Sequence, residues 1–298
     1  MRELGRVEKL WKKYGLTVAL RDISFSLNTG LSLFLGPNGS GKSTCIKILS
    51  GLVKPSNGKV ELLGLNPWVD RVRLMKRVGV ALENHALPRW ARGIDVLKYY
   101  ARLQGLTDAD VEKSLKLFDI GEYAHRTVDG YSAGMRQKLV LTIALLGEPE
   151  LVVLDEPTNA LDSAGKQRLF ELVTEKVRDG CSVILSTHFF AEMPLKADYA
   201  YFFQGGEASK WGSLEKISEE LGLVRIVFNL KDLDLAKTLN TLRSTPEIRE
   251  VAIRGEVVEV LTGNRIKAME TLENLGVKEA SQTYDYLRIY REAFKQQS

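Results

Sequence analysis

The chain is 298 residues long and 44% apolar, with 42 lysines and arginines against 38 aspartates and glutamates for a net charge of +4. That length exceeds a usual single domain, so one core with an appendage, or two domains, is expected, and the apolar content suffices for a sizeable core. Acidic and basic residues are interspersed without a basic tract, and the longest apolar run, residues 139–146, is far short of the roughly 18 residues that cross a bilayer, so neither a nucleic-acid partner nor a membrane span is expected.

In chain order, Val18, Leu20, Ile23, Phe25 and Leu27 alternate around Arg21-Asp22 and predict antiparallel strands. Apolar residues 31–35 then lead directly into Gly36-Pro37-Asn38-Gly39-Ser40-Gly41-Lys42-Ser43-Thr44, which reads as strand, phosphate loop and helix, the helix ending near Gly51. Such a loop turns successive backbone N–H groups toward one point and aims a helix N-terminus at it. It adds a lysine charge for the β and γ phosphates and a hydroxyl for magnesium. The bare pattern arises by accident in roughly one chain of this length in a hundred, so the flanking strand and helix signals are what give it weight. Cys45, just past the loop, and Cys181 read as small buried residues in a reducing compartment, and no signal peptide is read at the start.

Residues 58–64 read as a turn and strand, and 78–82 as a buried strand. From about 84 to 150 the period becomes helical, at Val96, Leu97, Tyr100 and Leu103, then Val111, Leu115 and Phe118. Strand signals return at 151–154, 183–186 and 199–203, separated by a helical segment, the pattern of a parallel sheet covered by helices. Asp155 and Glu156 leave the C-terminal end of the first of these strands, where ligands meet an open α/β sheet. With a phosphate loop present, Asp155 is expected to hold magnesium directly or through water. Glu156 is expected to act as general base on the water attacking the γ-phosphate. His188 closes the next strand and is a candidate γ-phosphate contact, whereas His85 and His125 follow no sheet strand and read as structural.

Beyond Gly222 a smaller pattern follows: a strand at 224–228, a helix around 235–242, a hairpin turning at Gly255-Glu256, a helix at 266–275 and a tail. The expected division is 1–221 for the nucleotide-binding part and 222–298 for an α+β accessory domain. The accessory domain could support dimerisation, regulate, bind a second partner or act as a stabilising cap.

Between phosphate loop and Asp155-Glu156 lies Tyr131-Ser132-Ala133-Gly134-Met135, and with it the ordered set resembles the nucleotide-binding domain of the ATP-binding cassette (ABC) family over about residues 4–215. The resemblance implies a P-loop NTPase-type parallel sheet core with an antiparallel β subdomain and a helical subdomain. It implies ATP and magnesium as ligands and a head-to-tail dimer, with a second copy or a related cassette, in which Ser132 and Gly134 of one face the ATP held at Lys42 of the other. It also implies that Tyr14 stacks on adenine, that Ser43, Asp155 and Glu83 surround magnesium, and that Asn159-Ala160-Leu161-Asp162 crosses the dimer interface. Three departures stand out. Glu83 replaces the family's usual glutamine and adds a carboxylate near magnesium, while Ala133 and Met135 replace a glycine and a glutamine of the signature.

Within the family the resemblance points to cassettes of drug, antibiotic, lipid or ion exporters whose membrane subunits are separate chains. The chain is then expected on the cytoplasmic face of the membrane, bound through its permease, with Arg89 and Trp90 either touching that partner or packed locally. Two other readings are a soluble ABC ATPase acting on nucleic acid or ribosomes, and a non-catalytic regulatory subunit. The absence of a long heptad run or basic tail weighs against the first, and Lys42, Asp155, Glu156 and His188 weigh against the second.

Overall fold

The computed structural model describes residues 2–189, 194–230 and 233–295. It divides into two compact units. The first comprises Met1–His188 with Tyr199–Ser209, and the second Phe189–Asp198 with Lys210–Ser298.

In the first unit β1 (Glu3–Tyr14), β2 (Thr17–Asn28) and β4 (Asn57–Leu62) form an antiparallel sheet in the order β2-β1-β4. A second sheet runs β5-β6-β7-β3-β8-β9, built from β3 (Leu31–Leu35), β5 (Val78–Ala81), β6 (Leu151–Asp155), β7 (Ser182–Thr187), β8 (Tyr199–Gln204) and β9 (Glu207–Ser213). Its strands β5, β6, β7, β3 and β8 are parallel. Every residue of β3, β6 and β7 is buried, which is why these strands read as unbroken apolar runs, covered on both faces, and not as an alternation. Phe25 of β2 meets Phe34 of β3 at 5.8 Å and Tyr201 of β8 at 4.9 Å, so an aromatic cluster joins the two sheets, and the Tyr201 hydroxyl donates to the Ser26 carbonyl at 2.8 Å.

Helices α1 (Lys42–Leu49), α2 (Arg71–Leu74), α3 (Gly93–Gln104), α4 (Asp108–Leu115), α5 (Ala133–Ala144) and α6 (Ser163–Arg178) complete the unit, three of them between β5 and β6. Cys45 and Cys181 are both free and buried, and burial pushes the Cys181 thiol up to about 11. The expected P-loop-type α/β core, antiparallel β subdomain and helical segment are all present.

The second unit holds α7 (Leu214–Leu221), β10 (Val224–Asn229), α8 (Leu235–Ser244), β11 (Ile248–Arg254), β12 (Val257–Thr262), α9 (Arg265–Asn274), β13 (Ala280–Thr283) and α10 (Tyr286–Lys295). From β10 to β13 this is a βαββαβ run with an antiparallel sheet in the order β11-β12-β10-β13, the ferredoxin-like topology. Val224, Ile226, Phe228, Val258 and Val260 pack with Leu242 of α8 and with Ala268 and Leu272 of α9. The division expected at 221/222 falls elsewhere. Helix α7 packs on α10 and β10, while the Tyr286 hydroxyl donates to the Leu195 carbonyl and accepts from the Ala197 amide at 3.2 Å, so 189–198 and 210–221 join the second unit.

Candidate functional site

The phosphate loop spans the gap from the C-terminal end of β3 to the first residue of α1. A Cβ on Gly36 would lie 2.3 Å from the Phe203 carbonyl oxygen, and Gly41 has φ 106°, so the loop path depends on both glycines. Pro37, Asn38 and Gly39 are exposed at the tip, Ser40 is buried, and Ser43 and Thr44 are half-buried in the first turn of α1. Lys42 is 4% exposed, and its ammonium donates to the carbonyls of Gly36 at 2.6 Å and Pro37 at 3.1 Å. Burial holds the Lys42 pKa below the usual lysine range, against the opposing pull of Glu156, Asp155 and Glu83.

Strand β6 delivers Asp155 and Glu156 beside that lysine. The Ser43 hydroxyl donates to Asp155 Oδ1 at 3.1 Å, and the Ser186 hydroxyl, from the neighbouring β7, donates to the same oxygen at 2.6 Å. Glu156 is 3% exposed. Its Oε1 lies 3.6 Å from Lys42 Nζ and its Oε2 lies 2.9 Å from His188 Nδ1. It also has φ 49°, a left-handed backbone that costs a non-glycine residue about 1–2 kcal/mol, so this carboxylate is set in place against local preference.

The pair formed by Asp155 and the Ser43 hydroxyl is an all-oxygen donor set with few protein ligands. That suits magnesium, which keeps several waters and takes substrate phosphate oxygens for the rest. Glu83 lies just beyond β5, and its Oε1 accepts from Asn159 Nδ2 at 3.1 Å, which ties the exit of β5 to the loop after β6. Tyr14 ends β1, 47% exposed, with the Lys12 ammonium 4.8 Å from its ring centroid. Ser132 is the N-cap of α5, its Oγ accepting from the Met135 amide at 3.1 Å. A Cβ on Gly134 would lie 3.0 Å from the Ala160 carbonyl oxygen. The α5 N-terminus is thus packed by the 157–160 loop, to which Gln137 Nε2 also donates, at the Pro157 carbonyl, 3.0 Å away.

The structure therefore brings Lys42, Ser43, Asp155, Glu156 and His188 into one cluster, places Glu83 on Asn159, and leaves Tyr14 and the Ser132-Gly134 turn on separate elements. His85 is half-buried and burial lowers its pKa, in keeping with its structural reading. Trp90 is 83% exposed, which removes the reading of a locally packed ring. Sequence reasoning missed Ser186, which joins the two carboxylate positions by accepting from the Glu156 amide at 3.0 Å. Its one signal was its place two residues before His188.

The ABC transporter family profile matches residues 20–159. An uncharacterised ABC transporter ATP-binding protein of Bacillus subtilis, YhcH, is 36% identical over 189 residues, a match covering 62% of this chain and 62% of that protein. The lantibiotic transport ATP-binding protein SrtF of Streptococcus pyogenes is 31% identical over 68% of this chain and 87% of its own length. The daunorubicin resistance ATP-binding protein DrrA3 of Streptomyces coeruleorubidus is 31% identical over 74% of this chain and 72% of its own. Among solved structures, an ATP-binding subunit of an ABC transporter superposes with a TM-score of 0.68 at 27% identity, over 74% of this chain and 93% of that one. A dimeric bacterial ABC transporter cassette shares the fold at a TM-score of 0.64 and 20% identity, over 71% and 99%. With the phosphate loop, Asp155, Glu156 and His188 folded into one cluster and relatives such as the lantibiotic transport and daunorubicin resistance proteins above 30% identity over more than two thirds of their length, the chain belongs to the ABC transporter family, among its ATP-binding proteins.

Proposed function

We propose that this chain is the ATP-hydrolysing subunit of an exporter whose permease is a separate membrane-spanning chain. The observation that carries the reading is Glu156, buried between Lys42 and His188 and adjoining the Asp155–Ser43 pair. Lys42 and the loop amides bind the β and γ phosphates, and Tyr14 offers a flat face to adenine. Magnesium, when bound at Ser43 and Asp155 with Glu83 nearby, neutralises phosphate charge. Glu156 draws a proton from the attacking water as its oxygen bonds to the γ-phosphorus and the bond to the ADP oxygen breaks. Such base catalysis is worth about 10²–10⁴ in rate. His188, whose Nδ1 lies 2.9 Å from Glu156 Oε2, is the candidate γ-phosphate contact.

Two copies meet head to tail, each ATP held between Lys42 of one and Ser132 and Gly134 of the other, so hydrolysis removes the bridge and the pair opens. Among the described residues no helix is long and apolar enough to cross a membrane, which supports a separate permease. The exposed Trp90, with Arg89, is the proposed contact, since exposed aromatics and arginines concentrate binding energy at interfaces. The names of the lantibiotic transport and daunorubicin resistance relatives support export, and a position on the cytoplasmic face of the membrane.

Phosphate release by the purified chain tests the reading. Magnesium-dependent turnover that Lys42→Ala abolishes is expected, together with a multi-span protein that co-purifies from native membranes in mild detergent. Turnover indifferent to Lys42, or recovery only with ribosomes or DNA, would overturn it.

A further inference from the structure

We propose that β11 of the second unit pairs, antiparallel and in one register, with β11 of a second copy of this chain. Strand β11 is an edge of its sheet, and Glu250, Ala252, Ile253 and Arg254 on it are exposed. The opposite edge, β13, is four residues of Ala-Ser-Gln-Thr, the short polar edge that resists pairing. By contrast, β11 is seven residues long, with Val-Ala-Ile at its centre and no proline.

The hairpin fixes which backbone groups are available. Gly255 has φ 64° while Glu256 is not among the positive-φ residues, as in a two-residue type II′ loop, so Arg254 and Val257 exchange hydrogen bonds. In an antiparallel ladder this alternates. Arg254, Ala252 and Glu250 turn their N–H and C=O groups to β12, and Val251 and Ile253 turn theirs outward. A second β11 must then match outward residues to outward residues.

Three two-fold registers do so, centred on residues 251, 252 and 253. Centring on 253 sets Glu250 opposite Glu256, a like-charge pair. Centring on 251 sets Arg254 opposite Ile248. Only centring on Ala252 sets Glu250, already held by Arg288 at 2.7 Å, opposite Arg254, which lies 3.9 Å from Glu259, twice, so that each carboxylate gains a second cation, with Val251 hydrogen-bonded to Ile253 twice and the two small Ala252 side chains at the axis. The side chains also sort by face. Val251 and Ile253 lie over the helix-covered side, opposite Val260 and Val258, so pairing extends the apolar layer, while the Glu250–Arg254 pairs lie on the other face. Residue by residue, the strand is thus its own complement about a two-fold axis, which is what an isologous contact with a second copy requires.

A pair of short strands is small beside the roughly 1,000 Å² of a stable interface, so it acts by adding to a contact that already brings copies together. In that respect it rests on the head-to-tail dimer proposed above. Its test does not, because disulfide formation captures even a weak and transient pairing of the full chain at high concentration without nucleotide. At the axis the Cα separation of a non-hydrogen-bonded pair is about 4.5 Å, within disulfide range. Cys45 and Cys181 are buried and give little background.

Ala252→Cys is expected to cross-link to itself on mild oxidation. Glu250→Cys alone should not, while a mixture of Glu250→Cys and Arg254→Cys chains should. Adding Arg254→Glu to Ala252→Cys should cut cross-linking about fivefold or more, because it sets like charges opposite while leaving the Glu250–Arg288 pair of the same chain intact. Ala252→Cys that yields no more dimer than the unaltered chain, or no more than Glu250→Cys, overturns the proposal. ATP-driven pairing would then stand or fall on its own measurement.

Discussion

The Ser186 hydroxyl donates to Asp155 Oδ1 at 2.6 Å and accepts from the Glu156 amide at 3.0 Å, so one side chain on β7 fixes both acidic positions at the end of β6. Ser186 is itself fully buried. Ser186→Ala leaves a carboxylate oxygen short of one donor and a buried amide without an acceptor, at a cost of about 1–3 kcal/mol. Thermal unfolding should show the loss, and phosphate release should fall with it because Asp155 is no longer held toward Ser43.

Glu156→Gln keeps the volume but removes the proposed base. Turnover should fall by about 10²–10⁴, while ATP still binds and the nucleotide-bound dimer accumulates. Light scattering at saturating ATP and magnesium checks this, and a monomer under those conditions would sink the head-to-tail scheme.

Glu83→Gln removes a negative charge while preserving an oxygen that can accept from Asn159. If Glu83 helps hold magnesium, the magnesium concentration for half-maximal turnover should rise about tenfold, or roughly 1.4 kcal/mol, with protein stability little changed. Asn159→Ala, which frees the same carboxylate, should alter stability little and leave the magnesium requirement closer to that of the unaltered chain.

The buried Lys42 makes stability depend on pH in a definite direction. Its pKa is lower folded than unfolded, so the unfolded chain binds more protons in the window below the ordinary lysine value, and raising pH through that window favours the folded state. Denaturant titrations of the unaltered chain and Lys42→Met at about pH 8 and about pH 10 should show the difference shifting toward the unaltered chain at the higher pH. A difference constant with pH would refute the burial argument.

Tyr14 is half exposed and carries no core. Tyr14→Ala should raise the KM for ATP several-fold, in line with about 0.5–1.5 kcal/mol for an aromatic contact, and Tyr14→Trp should restore it with Tm unchanged.

Much of the site was legible because its chemistry is local in sequence. The loop from Gly36 to Thr44 and the strand end at Asp155-Glu156 each announce themselves within ten residues, and so does the hairpin at Gly255-Glu256. What was not legible depends on contacts far apart in the chain. The role of Ser186 comes from a neighbouring strand, the Glu83 link to Asn159 spans 76 residues, and the division of the units turns on Tyr286 meeting Leu195 and Ala197. Strand β1 was obscured for another reason. Its pairing register shifts at several points, so Val7 and Leu10 are both buried although they differ by an odd number of positions. Helix α10 does carry a signal, since Tyr286, Ile289 and Ala293 fall at helical spacing and are buried, but ten residues with three apolar anchors at the end of the sequence do not set it apart from a tail.

The cap at Ser132 bears on how one side chain can hold two appointments. A hydroxyl has two lone pairs and a single proton, and the bond from the Met135 amide occupies only a lone pair. The proton stays available to an incoming phosphate oxygen, so closing the start of α5 does not compete with the proposed contact of Ser132 to a nucleotide across an interface. An alanine there would lose both at once, whereas an aspartate would keep the cap and turn the proton donor into a repelling charge.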